Sequence, residues 1–358
     1  MSLENPNHQI RPALPNDAFQ LAALAKIGIP GYPFESVYNP ESVADAILNG
    51  EIRLVVDSRD LGILATAVLG YSEEPMSEIK RVLVNPCARK NGFAKHLSAE
   101  LFQIASDRQR IPWADVRGDQ IGMQRAALYA GLIPISLETG KHVVYNHIYG
   151  NDDLGPGRET MVHMTSLNLT QNDLYSALTQ WPKETVRTLA KNLAESLNPA
   201  PKNCDSVRAY LTSAKEVKQR IALNLELIQL KHASITEDIE QVSVENGEII
   251  MIKPDASGFI TKPNQLARIS KISSEIGLQI ITAYCNADDL ETVSDLINSD
   301  FSPAMIRPWK NTHSSPAKWQ VGFRLTFNHY DESLHHIHLD PAVSDKIRDI
   351  TSHILDLC

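Results

Sequence analysis

The stretch Glu78-Ile-Lys-Arg-Val-Leu-Val-Asn-Pro-Cys-Ala-Arg-Lys-Asn-Gly-Phe-Ala-Lys-His-Leu97 decides the fold of the first half of the chain. The run from Glu78 to Asn85 predicts a strand. A polar turn with a proline and with Gly92 follows it. Apolar residues then recur at three and four positions, which predicts a helix from Phe93 to about Ser106. The pattern is therefore strand, glycine-containing turn and helix.

The start of this helix is a candidate binding site for a diphosphate. Backbone N–H groups in the first turn of a helix lack partners inside the helix, and the helix dipole adds partial positive charge there. Gly92 lets the backbone approach a ligand closely, and the small Ala94 avoids a clash. Arg89 and Lys90 add cationic character. We therefore expect a pyrophosphate group to bind at this turn.

The elements on either side predict an α/β or α+β unit from Ile10 to about Leu169, because strand-like runs alternate with helical patterns. Helices are predicted at 18–26, 40–47 and 121–130, with Gly131 as a C-cap. Further strands are predicted at 52–57, 61–70, 113–117, 141–149 and 158–167.

In this order of elements, the run Arg89-Lys90-Asn91-Gly92-Phe93-Ala94 resembles the cofactor motif Gln/Arg-x-x-Gly-x-Gly/Ala of the GNAT superfamily of acyl-CoA-dependent N-acyltransferases. The resemblance covers about the first 168 residues and implies a mixed central sheet flanked by helices. It implies that the amides of this run hold the diphosphate of CoA. Backbone groups of the preceding strand would bind the pantetheine arm and the acyl carbonyl, and these are Val82, Leu83 and Val84. Acetyl-CoA or another acyl-CoA would then be the co-substrate.

The reaction that the resemblance implies is direct attack of an amine on the thioester, with a carboxylate or a water chain removing a proton. Glu78 is the candidate base, and the alternative is a solvated carboxylate beside Lys80. The family often has a Tyr on the next helix that meets the thiolate, but Ala127 stands at that position. Tyr129 follows it by about 200° around the helix. Tyr129 is therefore an acid in shifted geometry or a packing residue, and a non-catalytic acyl-CoA sensor is the alternative function.

The second half predicts another α/β domain. Asn246-Gly247 is a strong hairpin signal. The order of elements follows that of the back half of the first unit, so a degenerate GNAT-like repeat is one reading and an unrelated domain the other. Helices are predicted at 213–232, 265–276 and 288–299, and strands at 240–244, 248–253, 278–284, 304–307 and 319–327. The predicted division is an acyltransferase domain at 1–168, a helical linker at 169–203 that is interrupted at Pro182, and a C-terminal domain at 204–358.

Composition bounds the remaining choices. The 358 residues are 43% hydrophobic and 22% charged, which is typical of a soluble folded protein. A net charge of −9 argues against nucleic acid as the main partner, and no run reaches the ~18 apolar residues of a membrane span. We expect a cytoplasmic protein that acts on a small-molecule amine, and a homodimer is left open. No metal is expected, since His336 and His338 lack a third ligand, and Cys87 is expected to be a small buried residue.

Overall fold

The computed structural model describes residues 7–29, 35–71, 76–144, 157–166, 171–197, 232–235, 240–244, 248–252, 257–260, 280–309, 318–326 and 335–358. The helix predicted at 265–276 and all but the last residue of the helix predicted at 213–232 lie outside the described residues. Among the described residues, no helix is both long enough and apolar enough to cross a membrane.

The first half forms a mixed sheet in the order β1-β2-β3-β4-β5-β7, with β6 paired to the other edge of β7. Neighbouring strands are antiparallel except β4 and β5, which are parallel. The strands are β1 (His8–Pro12), β2 (Ile52–Ser58), β3 (Gly62–Tyr71), β4 (Met76–Val84), β5 (Ile111–Arg117), β6 (Ile133–Val144) and β7 (Gly157–Thr165).

Helices cover both faces of this sheet, as predicted. On one face, α1 (Ala18–Gly28) and α2 (Pro40–Leu48) pack around Leu21, Val43 and Val55. On the other face, α3 (Phe93–Asp107) and α4 (Ile121–Ala130) pack on the sheet and on each other. Local signals set the ends of these helices, since Asn39 caps α2 and Gly131, at φ +99°, ends α4.

The second half forms a seven-stranded sheet in the order β8-β9-β10-β11-β12-β14-β13, which repeats the strand order of the first. The sense of pairing repeats as well, because β11 and β12 are parallel and the other neighbours are antiparallel. The hairpin pairing predicted around 246–247 is confirmed, since Val244 pairs with Glu248, although this register leaves three residues between the strands rather than the two of the predicted turn. The strands are β8 (His232–Ile235), β9 (Glu240–Val244), β10 (Glu248–Ile252), β11 (Ser257–Ile260), β12 (Ile280–Asn286), β13 (Ser302–Trp309) and β14 (Lys318–Thr326).

The helices that follow each sheet pack against the other half of the chain. After the first sheet come α5 (Gln171–Leu178) and α6 (Lys183–Ser196), and α6 packs on β13 of the second sheet. After the second sheet comes α8 (Pro341–Leu355), which packs on β6 of the first sheet and on α6. The remaining helix, α7 (Leu290–Asn298), connects β12 with β13, and the short β15 (His335–His336) pairs parallel to β7.

This packing changes the reading of two segments. The helices predicted as a linker supply buried side chains to the core of the second sheet, among them Leu178, Leu189 and Leu193. Conversely, Val343 and Ile347 of α8 are fully buried in the core of the first sheet, while Ile350 and Ile354 of the same helix lie in the core of the second. Residues 1–168 therefore do not contain the whole hydrophobic core of their own sheet.

Some predicted elements differ from the structure. The strand predicted at 141–149 begins much earlier, at Ile133, because an irregularity in the pairing between Glu138 and His142 interrupts its alternation. The sequence reasoning did not identify β1, β8, β11, β15 or α8. Cys87 was expected to be buried and is exposed, because it lies in the turn that follows β4.

Candidate active site

An opening forms between β4 and β5 in the middle of the first sheet. The two strands pair over three positions, which end with Glu78 opposite Trp113. Beyond this pair β4 keeps its pairing with β3 as far as Val84, while the described residues show no further pairing with β5. The strands therefore part after Glu78 and leave backbone groups of β4 available to a ligand.

A β-bulge lies on β4 along this opening. Lys80 pairs with Val68 and Leu83 with Thr66, so the two residues between them oppose one residue of β3. Arg81, at the bulge, has a φ of +50°, which is rare for a residue with a side chain. The bulge reverses the alternation of the strand, since Ile79 packs in the core with α3 whereas Leu83 packs in the core with α1.

The predicted diphosphate turn has the expected backbone form. Gly92 is the N-cap of α3 at φ +76°, and Lys90 also has a positive φ, +72°. A Cβ added at Gly92 would lie 3.7 Å from the nearest atoms of His96, an ordinary contact. Glycine is therefore favoured here by the left-handed backbone rather than by lack of space. Asn91 donates a hydrogen bond from Nδ2 to the carbonyl of Ala88 at 3.1 Å, which holds the turn.

The cationic side chains of this turn, Arg89 and Lys90, are exposed. The N-cap is Gly92, which has no side chain to accept hydrogen bonds from the amides of the first turn. The side chain of Phe93 is buried, which fixes the start of α3 against the sheet. The backbone N–H groups of the first turn thus point out of a fixed helix start beside two positive charges. Such a turn suits a diphosphate.

Glu78 lies where β4 and β5 part. Because its neighbour Ile79 faces the α3 side of the sheet, the Glu78 side chain faces the α1 side. Its carboxylate forms an ion pair with Lys80 at 3.2 Å and is 24% exposed. Gly70 makes room for this lysine, since a Cβ there would lie 2.6 Å from the Lys80 Nζ. The contact with Lys80 that was predicted as the alternative is present, and the role of Glu78 as a base stays a prediction.

Tyr129 lies on the outer side of α4 and is 43% exposed. Its ring lies 5.6 Å from the Lys95 Nζ and 6.2 Å from the ring of His96, both on α3. Ala127 is buried in the core of the sheet, so the two positions of α4 face different surroundings. Tyr129 therefore lies beside the beginning of α3, and its role as an acid stays a prediction.

The sequence reasoning missed a buried charged cluster, which we call the Asp115–His163–Glu138 cluster. Asp115 and His163 are register partners on β5 and β7, and Glu138 is on β6. The His163 Nδ1 lies 2.6 Å from the Asp115 Oδ1, and the Nε2 lies 3.2 Å from the Glu138 Oε2. The available signal in the sequence was a charged residue, Asp115, and an ionisable one, His163, each inside an otherwise apolar strand. Only the pairing of β5 with β7 brings the two together.

The second sheet completes this cluster. The hydroxyl of Tyr284 on β12 donates a hydrogen bond to the Glu138 Oε1 at 3.0 Å. The guanidinium of Arg324 on β14 lies 3.9 Å from the same oxygen and donates to the Thr139 hydroxyl at 2.7 Å. The cluster therefore lies between the two sheets and is held by both halves of the chain.

Other side chains that could react or bind a metal lie elsewhere. The Cys285 thiol is buried, and this burial raises its pKa to about 12, which disfavours the reactive thiolate. His338 is exposed and follows β15, and the side chain of His336 lies outside the described part of the chain. Within the described residues, the group that has the composition of a metal site is Asp115, Glu138 and His163.

No protein-family model matches the chain, and no curated protein matches it. Solved structures are similar over its N-terminal part. The yncA protein of Salmonella typhimurium, solved with its cofactor acetyl-CoA, is 14% identical over 44% of this chain and 92% of its own, with a TM-score of 0.37. An N-acetyltransferase from Staphylococcus aureus is 18% identical over 44% of this chain and 97% of its own, with a TM-score of 0.35.

A variant of the spermidine N-acetyltransferase SpeG from Vibrio cholerae is 14% identical over 47% of this chain and 99% of its own, with a TM-score of 0.36. At these identities and TM-scores, the likenesses assign no ligand or acceptor to this chain. The strand order, the parting of β4 from β5 and the glycine turn are features of the chain itself. The N-terminal half of this chain resembles the GNAT acetyltransferases in fold.

Proposed function

We propose that this protein transfers an acyl group, acetyl in the first instance, from acyl-CoA to the amine of a small molecule. The observation that carries the proposal is the parting of β4 from β5 directly after Glu78, next to a helix start with a left-handed glycine. In this proposal the opening would receive the extended thioester arm, and the turn would receive the phosphates at its end.

The co-substrate would bind along β4 and at the start of α3. Backbone groups of Val82, Leu83 and Val84 would bind the pantetheine arm and the acyl carbonyl, because this part of β4 is unpaired with β5. The amides of Arg89 to Ala94 would bind the diphosphate. The bulge at Arg81 supports this assignment, since it turns backbone groups away from the regular ladder.

The reaction would proceed by direct attack. Glu78 takes a proton from the ammonium group of the acceptor, and the nitrogen lone pair then attacks the thioester carbonyl carbon. The C–N bond forms, the C–S bond breaks, and the thiolate takes the second proton from nitrogen. Tyr129 is our candidate for passing that proton, and without it the thiolate leaves unassisted.

Replacement of Glu78 by glutamine tests the proposal. We expect Glu78→Gln to lower the rate of acyl transfer by about 10²- to 10⁴-fold, the usual contribution of a general base, with little change in CoA affinity. Thiol release from acetyl-CoA would be measured against a panel of amines. Glu100→Gln on exposed α3 surface is the matched control and keeps the full rate. A full rate in Glu78→Gln removes Glu78 as the base.

A non-catalytic acyl-CoA sensor is the second candidate function. The observation that favours it is the buried Ala127 at the position where the family often has a tyrosine. In that case the wild-type protein binds CoA tightly and releases no thiol with any amine. The second half would then present a partner surface.

We take the second half as a degenerate copy of the first, supported by its strand order. It lacks an Arg-x-x-Gly-x-Ala motif, so we assign it no CoA site. Its role in the proposed enzyme is to help form the acceptor site. The homodimer and the cytoplasmic location stay predictions.

A further inference from the structure

Asp115 lies beside the opening and on the same face of the sheet as Glu78. Its neighbours Ala114 and Val116 pack in the core with α3, so Asp115 faces the opposite side, as Glu78 does. Trp113 is the last residue of β5 that pairs with β4. Asp115 is two residues further on, about 7 Å along the strand. Two carboxylates therefore flank the place where β4 and β5 part.

Only one member of the Asp115–His163–Glu138 cluster reaches the surface. The side chain of Asp115 is 11% exposed, whereas those of His163 and Glu138 are each 1% exposed. The cluster thus runs from the buried interface of the two sheets to a single accessible carboxylate. A ligand can reach Asp115, while the other two act through it.

The ring of His163 lies between the carboxylates of Asp115 and Glu138 and so links Asp115 to the buried part of the cluster. One nitrogen lies 2.6 Å from a carboxylate oxygen of Asp115, and the other lies 3.2 Å from a carboxylate oxygen of Glu138. Two ionised carboxylates at these distances would favour a ring that carries a proton on each nitrogen, which is an imidazolium. The Arg324 guanidinium, 3.9 Å from Glu138, adds a second positive charge.

Two features argue against a divalent cation in the cluster, although its residue types would suit one. Only one ring nitrogen of a histidine ligates a given metal while the other donates to a carboxylate, so this cluster offers an ion at most two protein ligands, fewer than the three or four of a zinc site. A dication beside the Arg324 guanidinium would also face a like charge. A set of ion pairs therefore accounts for the close approach of these groups without a metal ion.

We propose that Asp115 binds the ammonium group of a cationic alkylamine acceptor, and that His163 and Glu138 are positioning residues which Tyr284 and Arg324 fix from the second sheet. This inference rests on the proposed acyl transfer and names its substrate class. Asp115 keeps its charge throughout, and the proton and electron movements are those given for Glu78 and the thioester. The second half then contributes to acceptor binding without touching the acceptor.

Kinetics on two classes of amine test the role of Asp115. An alkyl diamine is charged at pH 7, whereas an arylamine is neutral. We expect Asp115→Asn to raise the KM for the diamine by about 10- to 100-fold, the scale of a lost charged hydrogen bond, and to leave that for the arylamine within about twofold. We expect Asp115→Asn to leave the affinity for CoA unchanged. The control Asp107→Asn, at the exposed end of α3, should change the KM of neither amine. Equal effects on both amines, or none, overturn the proposal.

Nitrogen-15 NMR of labelled histidine tests the positioning residues without any acceptor. The signals of the His163 ring are assigned by their absence in His163→Gln. We expect the wild-type ring to carry a proton on each nitrogen at pH 7, and Glu138→Gln to lose the proton at Nε2. Tyr284→Phe deletes one hydroxyl, raises the diamine KM about two- to fivefold at unchanged kcat, and serves if His163→Gln does not fold. A neutral His163 ring, or a signal or activity that a chelator removes and zinc restores, overturns the proposal.

The two levels of failure are distinguishable. If the wild-type protein turns over no amine, the proposed function fails while the NMR still reports the cluster. If the wild type is active and Asp115→Asn treats both amines alike, the acyl transfer stands and this assignment fails.

Discussion

Replacing Gly92 by aspartate, and separately by asparagine, isolates the charge at the proposed diphosphate turn. Gly92 has φ +76°, and a left-handed backbone costs a residue with a side chain about 1–2 kcal/mol. Aspartate and asparagine have nearly the same shape, tolerate this backbone better than other residues, and both favour the N-cap position. The added Cβ makes only an ordinary contact with His96, at 3.7 Å. We therefore expect the two variants to lose equal, small amounts of folding stability.

CoA binding separates the two variants. A carboxylate about 5 Å from one phosphate charge is repelled by about 1 kcal/mol in a water-like surrounding and about 3 kcal/mol near a protein surface. These energies correspond to about 5- to 150-fold in Kd. Gly92→Asp is thus expected to bind CoA at least about fivefold more weakly than Gly92→Asn, and the gap narrows as salt screens the charges.

Isothermal titration with CoA at low and high salt measures this difference. Gly50, at the end of α2, provides the matched control, because it too has a positive φ, +89°, and a Cβ there would meet nothing within 4 Å. Gly50→Asp and Gly50→Asn are expected to bind CoA alike. If Gly92→Asp and Gly92→Asn also bind CoA alike at low salt, the diphosphate does not lie at this turn.

Two further predictions concern α8. Ile347→Ala should lower the free energy of unfolding by about 2–5 kcal/mol, because Ile347 is fully buried against the first sheet. The control is Leu355→Ala, which should lower it by under about 1 kcal/mol because Leu355 is half-exposed. Urea unfolding checks both, and an equal effect would mean that α8 does not belong to that core. Asp340 caps α8 and accepts a hydrogen bond from Arg125, which lowers the pKa of Asp340 below its ordinary value of 3.8. The stabilisation is therefore present above pH ~4 and is lost as the pH falls through the lowered pKa of the folded state. In urea unfolding, Asp340→Asn, which keeps a capping side chain, should be less stable than wild type at pH 7, and the gap should narrow as the pH falls below ~4.

Local patterns gave most of the elements of the first half and several of the second. The helices that begin at Pro40, Phe93 and Ile121 were predicted within one or two residues, because capping residues and apolar spacing act within a few positions. The first strand, β1, was missed, since it is a short edge strand with a single strongly apolar residue, Ile10. The last helix, α8, is not among the predicted elements, although its buried residues Val343, Ile347, Ile350 and Ile354 recur at helical spacing.

The candidate site divides in the same way. Gly92 and its neighbours form one continuous run, so the turn can be identified from the amino-acid sequence alone. The carboxylates behave differently, because Asp115, Glu138 and His163 lie on three strands and carry no motif. Their association depends on which strands pair and at which register, which is set by burial across the whole sheet.

By itself, the sequence determined the mixed α/β unit, the helix ends and the glycine turn, because these depend on side-chain periodicity and backbone preference within a few residues. Only the tertiary structure decided that the two sheets share a strand order and that α6 and α8 pack against the other half of the chain. It also decided that Tyr284 of the second half donates a hydrogen bond to Glu138 of the first. Such long-range pairings are decided by which apolar faces bury one another, a property of the folded whole. The opening that follows Glu78 depends on local and on long-range structure. A local bulge shapes β4, whereas the distance between β4 and β5 is set by the helices and strands that pack on the sheet.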